Sequence, residues 1–265
     1  MSSIGIIGNG IVGKATNLLF KSNKNRIFDL DRKKRVNCKD FDNLLDCELI
    51  FVCVPTPLDD SKKLDVSGVD DSVKRLLSSG IDPWRIVIRS TVPVGTTADL
   101  GVSFMPEFLR DDTWEKDIEF TSRLLIGVPD GPEWNDNIKS LSSTVDKLLV
   151  EAKMIIMHKS TALECIKLSR NAFLATKVSF FNEIKEFCDN NDIDYDEVWR
   201  GVGVDSRIGT SHIQVPGPDG KAGWGGKCLP KDVNGLVAQM RASGVKSHVI
   251  TGALERNESI DRPNK

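Results

Sequence analysis

The stretch Ile4-Gly5-Ile6-Ile7-Gly8-Asn9-Gly10-Ile11-Val12-Gly13 decides the fold of this chain. An apolar run ends in Gly-x-Gly-x-x-Gly, and a helical pattern follows to about Ser22. That order reads as strand, tight turn, helix. The first glycine, Gly8, permits the turn. Gly10 lets the backbone approach a pyrophosphate, and Gly13 allows close helix–strand packing. The helix start, Ile11 and Val12, offers N–H groups and a positive dipole end to phosphate oxygens. A second strand, Arg26-Ile27-Phe28-Asp29, ends in a carboxylate about 20 residues beyond the first glycine, where one accepts from ribose hydroxyls. Asp29 would repel a 2′-phosphate, so NAD is expected over NADP. The basic run Arg32-Lys33-Lys34-Arg35 is read as a solvated loop, its other reading being a phosphate contact.

Outward from this motif the pattern repeats. Leu49-Ile50-Phe51-Val52-Cys53-Val54 has almost no polar alternation, as in a strand buried on both faces of a parallel sheet. Val69 to Leu77 is helical, and strands follow at Arg85–Arg89, Val102–Met105 and Leu124–Val128. The expected fold is α/β: a Rossmann-like, doubly wound parallel sheet closing near Met154–Met157. Residues 160–190 then carry apolar positions at helical spacing with no Gly or Pro, which predicts one long helix, with Glu164 and Arg170 on its polar side. Shorter helices are expected at 194–202, from Pro230 and from His248, around a glycine-rich loop at 215–226. Residues 1–158 are therefore read as a dinucleotide-binding domain and 159–265 as an all-helical domain.

Composition narrows the function. In 265 residues, 36 Lys and Arg stand against 38 Asp and Glu, a net charge of −2 without the basic excess of a general nucleic-acid binder. No apolar run reaches the roughly 18 residues that span a bilayer, and the first residues do not form a signal peptide. The six cysteines form no C-x-x-C, so reduced thiols in a cytoplasmic chain are expected and no metal site is.

Three sets of residues carry chemistry. Cys228 follows Gly223-Trp224-Gly225-Gly226-Lys227 at an expected helix start, beside Lys227 and Lys231, where a thiol loses its proton readily. Its other reading is a small buried cysteine. Asp232 falls one helical turn on. Lys167 and Asn171 lie on one face of the long helix, as an oxyanion-stabilising pair or as a solvated stripe. Thr56, Ser90–Thr96 and Met105–Arg110 all follow strand ends, the edge where open sheets bind ligands.

Together, the glycine fingerprint, Val54-Pro55-Thr56-Pro57, Ser90 to Thr96, Pro106-Glu107-Phe108-Leu109-Arg110, Lys167 to Asn171, Asp205-Ser206-Arg207-Ile208-Gly209 and Gly225-Gly226-Lys227-Cys228-Leu229-Pro230-Lys231-Asp232 resemble the UDP-glucose/GDP-mannose dehydrogenase family. The resemblance implies oxidation of a nucleotide-sugar C6 alcohol to the acid, with two NAD reduced. Cys228 would form a thiohemiacetal and then a thioester. Lys167 and Asn171 would hold the oxyanion; Asp232 would handle water and, with Thr91, protons; Glu107 would serve thioester hydrolysis. Gly8, Gly10, Ile11, Val12, Gly13, Asp29, Thr56, Thr91, Asp111 and Lys231 would contact NAD. Glu107, Leu109, Lys167, Asn171, Arg207, Gly225 and Cys228 would meet the substrate, with Arg207 reaching a neighbouring subunit's sugar nucleotide. The implied setting is polysaccharide biosynthesis by a cytoplasmic homodimer.

Three features depart from the family pattern. Asp111 stands in place of a glutamate, the Arg35–Glu48 connection is short, and the sequence ends at Lys265 without the family's C-terminal UDP-binding domain. The His248–Ile260 helix resembles the beginning of the family's central helix. A second chain supplying the missing wall is one expectation. A non-catalytic NAD-binding subunit paired with a full-length relative, and a 3-hydroxyacid-type dehydrogenase, are the alternatives.

Overall fold

The computed structural model describes residues 3–22, 24–29, 37–38, 40–131, 134–151 and 153–263. The Arg32–Arg35 run lies outside them. The chain divides into two compact units, Met1–Pro57 with Asp65–Lys167 and Leu58–Leu64 with Leu168–Lys265.

The first unit is a seven-stranded sheet: β1 (Ile4–Ile7), β2 (Arg26–Phe28), β3 (Leu49–Val52), β4 (Ile86–Ile88), β5 (Ser103–Phe104), β6 (Arg123–Val128) and β7 (Met154–Lys159). Their spatial order is β2-β1-β3-β4-β5-β6-β7. The first five strands are mutually parallel. β6 enters antiparallel to β5, and β7 is parallel to β6. The sheet is therefore mixed rather than parallel throughout. A direct reversal after α4 reaches β6 from β5 without the crossover that parallel neighbours require.

The helices of this unit are α1 (Ile11–Leu19), α2 (Ser67–Ser78), α3 (Thr96–Leu100), α4 (Trp114–Glu119) and α5 (Trp134–Leu148), followed by the first residues of the long α6 (Ser160–Asn190). Alternation along the strands feeds two cores. Ile7, Ile50, Val52, Ile86 and Ile88 pack with Val69, Val73 and Leu76 of α2. Ile4, Ile6, Leu49, Phe51 and Val87 pack with Ala15 and Leu19 of α1 and with Leu141 and Val145 of α5. Each buried Val, Leu, Ile or Phe contributes about 1.5–3 kcal/mol, so the uninterrupted apolar runs follow from covering both faces. At Gly127 of β6 a side chain would lie 2.6 Å from the Ser160 Cα, so glycine lets α6 begin directly over the strand.

The second unit is helical. It contains the remainder of α6, α7 (Tyr195–Gly203), α8 (Leu229–Ala242) and α9 (His248–Arg256), which widens into a π-helical turn, Asn257–Asp261. Phe181 and Cys188 of α6 pack with Tyr195 and Ile213. The excursion Leu58–Leu64 closes by a bridge between its ends. Leu64 lies where any side chain at Gly235 of α8 would intrude, 2.7 Å from its Cγ. Among the described residues no helix is long and apolar enough to cross a membrane.

Candidate functional site

Parallel register gathers the chemistry of the first unit on one edge. Ile7 pairs with Phe28 and with Val52, Val52 with Ile88, and Ile88 with Phe104. The residues that follow these partners therefore share the carboxyl edge: Gly8, Asp29, Cys53–Thr56, Arg89–Thr91 and Met105–Glu107. From β1 the chain passes to β2 on one side, and β3 joins on the other, which opens a ligand crevice outside these strand ends.

The glycine fingerprint occupies that crevice. Gly8 has φ +102°, and a side chain there would lie 2.4 Å from the Cys53 carbonyl oxygen. At Gly13 it would lie 2.0 Å from the Gly8 carbonyl oxygen. Both positions are closed to any other residue. Gly10 is different: exposed, and open for 4 Å around a would-be Cβ. It caps α1 without a side-chain hydrogen bond, and the first turn holds no acidic residue. Backbone N–H groups at Ile11 and Val12 thus face an uncrowded opening, which suits the pyrophosphate of a dinucleotide. Asp29 is buried at the end of β2. Thr56, also buried, donates its hydroxyl proton to the Thr91 carbonyl at 2.8 Å and so ties two rim segments together.

Glu107 and Lys167 form a buried ion pair in the same unit. The Lys167 Nζ donates to Glu107 Oε1 at 2.7 Å and to the Glu107 carbonyl at 2.9 Å, while the Leu109 N–H donates to Oε2 at 2.8 Å. Burial pushes the Glu107 carboxyl up, but the Lys167 charge and hydrogen bond, the Leu109 amide and Arg89 outweigh it and hold the carboxyl below the usual range. Asp111 is exposed. Cys53 also stands on this edge, 3.6 Å from the Thr16 hydroxyl, but burial pushes its thiol up to about 11 and keeps it protonated.

In the second unit Cys228 is half-buried at the cap position of α8. One turn on, the Asp232 N–H donates to the Cys228 carbonyl at 2.9 Å. The Asp232 carboxylate is almost fully buried and satisfied on both oxygens. Asn171 Nδ2 donates to Oδ2 at 2.6 Å, and Lys231 Nζ to Oδ1 at 2.7 Å. Gly225 is half-buried in the loop before Cys228. Arg207 is exposed and pairs with Asp205, whose carboxyl its hydrogen bonds hold low.

The structure thus groups the expected residues by unit. Gly8, Gly10, Ile11, Val12, Gly13, Asp29, Thr56, Thr91, Glu107, Leu109, Asp111 and Lys167 belong to the first. Asn171, Arg207, Gly225, Cys228, Lys231 and Asp232 belong to the second. Two further buried charges of the first unit were not anticipated. Glu164, expected on the polar side of the helix, is fully buried, and its carboxylate accepts from the Gly95 and Thr97 N–H groups at 2.6 and 2.8 Å. Burial raises its carboxyl, and those hydrogen bonds temper the rise. Its spacing of three from Lys167 was a readable signal, since i and i+3 share a helix face. Arg89 is buried against the Met105 sulfur, and burial lowers its pKa.

Comparison with known proteins also finds two parts. Residues 32–146 match the NAD binding domain of the UDP-glucose/GDP-mannose dehydrogenase family, and residues 161–259 match its central domain. A UDP-glucose 6-dehydrogenase of Pseudomonas aeruginosa is 30% identical over 233 residues, covering 82% of this chain and 49% of the relative. The UDP-glucose 6-dehydrogenase AglM of Haloferax volcanii is 27% identical, covering 83% and 54%. The chain spans about half the length of the curated relatives it matches. Among solved structures, a UDP-glucose dehydrogenase of Pyrobaculum islandicum superposes with a TM-score of 0.79 at 23% identity, over 98% of this chain and 68% of the other. A 3-hydroxyisobutyrate dehydrogenase of Mycobacterium tuberculosis superposes with a TM-score of 0.71 at 15% identity, over 98% and 95%. Both are likenesses of fold.

Proposed function

Because the chain belongs to the UDP-glucose/GDP-mannose dehydrogenase family, we propose that it takes part in NAD-dependent oxidation of a nucleotide-sugar C6 alcohol to the uronic acid. The observation that carries this reading is the α8 start. A half-buried thiol stands there one turn before a buried carboxylate held by an asparagine and a lysine. A simple hydroxyacid oxidation needs no nucleophile, so this arrangement favours the two-step chemistry over the hydroxyacid alternative, despite the likeness in fold.

Residues 1–158 form the NAD-binding domain of this reading and 159–265 the central domain. Gly8, Gly10 and Gly13 admit the pyrophosphate to the start of α1, with Asp29 toward the ribose and Thr56, Thr91, Asp111 and Lys231 as further contacts. NAD, when bound, is the hydride acceptor. Loss of a hydride and the hydroxyl proton turns the C6 alcohol into the aldehyde; the Cys228 Sγ adds to that carbon while its proton goes to the oxygen, giving a thiohemiacetal, and loss of a second hydride and that proton leaves a thioester. Water cleaves the C–S bond to release the acid and return the thiol. Covalent capture keeps the aldehyde from escaping. Lys167 spends two of its three N–H donors on Glu107 and turns the third to the substrate oxyanion, with Asn171 beside it in sequence by one turn. Asp232 and Thr91 move protons, and Glu107 serves hydrolysis. Leu109, Gly225 and Arg207 contact the sugar nucleotide.

We read the active form as a homodimer. Ile166, Phe173, Phe180 and Phe187 are all exposed and recur every seven residues along α6, a row of large apolar side chains on one face of the helix. We place the reaction in the cytoplasm, the compartment that keeps six cysteines as thiols. The test is NADH production by the purified chain over a panel of UDP-glucose, related UDP-sugars and GDP-mannose. Two NADH per sugar are expected, and Cys228→Ser should halt the reaction before the acid. Undiminished acid formation by that variant would overturn the covalent route.

A further inference from the structure

The loop that precedes Cys228 is held by side chains to which the mechanism gives no part. Gly223-Trp224-Gly225-Gly226 contains three glycines, and Gly223 and Gly226 sit at φ +64° and +77°. Such a segment has more conformational freedom to lose than any other, so its shape must be imposed from outside. Four side chains impose it. Asn182 Oδ1 accepts from the Gly223 N–H at 2.9 Å. Asn257 does two jobs: its Oδ1 accepts from the Trp224 N–H at 2.8 Å, and its Nδ2 donates to the Trp224 carbonyl at 3.1 Å. The Trp224 indole N–H donates to Ser179 Oγ at 2.8 Å, and the Ser179 hydroxyl in turn donates to the Ala253 carbonyl at 3.0 Å. Arg262 Nε donates to the Ala222 carbonyl at 2.7 Å.

All of these groups are buried, and any side chain at position 223 would stand 2.4 Å from Asn257 Oδ1. Downstream, α8 is anchored by the bond from Asn171 to Asp232. Cys228 therefore lies between two fixed points, Trp224 four residues before it and Asp232 four residues after it.

We infer that Asn257, seated in the π-helical turn after α9, is a positioning residue for Cys228: its two hydrogen bonds to Trp224, backed by Asn182 and Ser179, hold the thiol in one place at the start of α8. The inference rests on Cys228 being the nucleophile of the proposed reaction. Its test reads the thiol itself, without substrate or NAD, so the absence of dehydrogenase activity would sink the functional reading and leave this result standing.

The experiment is native-state alkylation of the whole chain by iodoacetamide, followed site by site with peptide mass spectrometry. Two other cysteines calibrate it. Cys165 is exposed and reports the reagent; Cys188 is buried in the core of the helical unit and reports global opening. Asn257→Ala is expected to raise the Cys228 labelling rate by about fivefold with Cys188 unchanged, the scale of losing a buried hydrogen-bonded anchor. Trp224→Phe keeps the ring and removes only the N–H to Ser179. It should move Cys228 the same way by a smaller factor, and it decides the matter if Asn257→Ala does not fold. A Cys228 rate that is unchanged or lower, or that rises only in step with Cys188, overturns the inference.

Discussion

Lys167 and Glu107, sixty positions apart in sequence, meet through a 2.7 Å contact with both side chains almost wholly withdrawn from water. A charge removed from water is tolerated only with a close partner, so neither member of this pair is dispensable by itself.

Lys167→Met should therefore destabilise the protein by about 3–5 kcal/mol, because it strands the Glu107 carboxylate. Adding Glu107→Gln to Lys167→Met should recover a large part of that loss. Urea denaturation of the two single variants and the double variant closes the cycle. Additive losses would show that the pair is not coupled.

Two buried carboxyls should act on stability with opposite sign. The Glu107 pKa is lowered in the folded state, so its contribution is present above the unfolded value, about 4.3, and is lost as pH falls through the lower folded value. Glu164 is raised, so its contribution is complete below about 4.3 and is lost as pH rises through its higher folded value. Glu164→Gln should remove that loss on the rising side and leave the acid limb alone, as thermal melts at stepped pH would show. Glu164→Ala should cost about 1–3 kcal/mol at every pH, because the Gly95 and Thr97 N–H groups lose their acceptor.

The three fingerprint glycines should separate folding from cofactor binding. Gly13→Ala drives a methyl into the Gly8 carbonyl and should lower the melting temperature sharply. Gly10→Val meets open space and costs only a weaker cap, so stability should fall by no more than about 1 kcal/mol. The same branched side chain fills the approach to α1 and should weaken NADH binding tenfold or more, on the order of 1.4 kcal/mol. Fluorescence titration beside thermal denaturation checks both, and equal NADH affinity in Gly10→Val would exclude this crevice.

The α6 stripe predicts a mass change. Phe180→Glu places a charge in the middle of an apolar seam and should convert a dimer to a monomer in light scattering, with far-UV circular dichroism unaltered. A parent chain that is already monomeric at tens of micromolar would remove the dimer from the functional reading.

What the linear order of residues determined was local and periodic. Uninterrupted apolar runs beside Gly8, Gly10 and Gly13 required strands buried on both faces and a turn open to a phosphate. Helical spacing without Gly or Pro across 160–190 required one long helix, and α6 spans Ser160–Asn190. The identity of Cys228 and Asp232 one turn apart was equally legible, because a helix start and an i, i+4 spacing are properties of consecutive residues. Partnership was different. Periodicity says that Glu164 and Lys167 share a face, but not that the face is buried or that a carbonyl, an amide and a carboxylate wait there. Nor does it say that β6 runs antiparallel to β5, or that Asn257 grips Trp224 across 33 positions. Those contacts join segments remote along the chain, and burial in the assembled core is what makes each of them energetically consequential, so only the tertiary structure decided them.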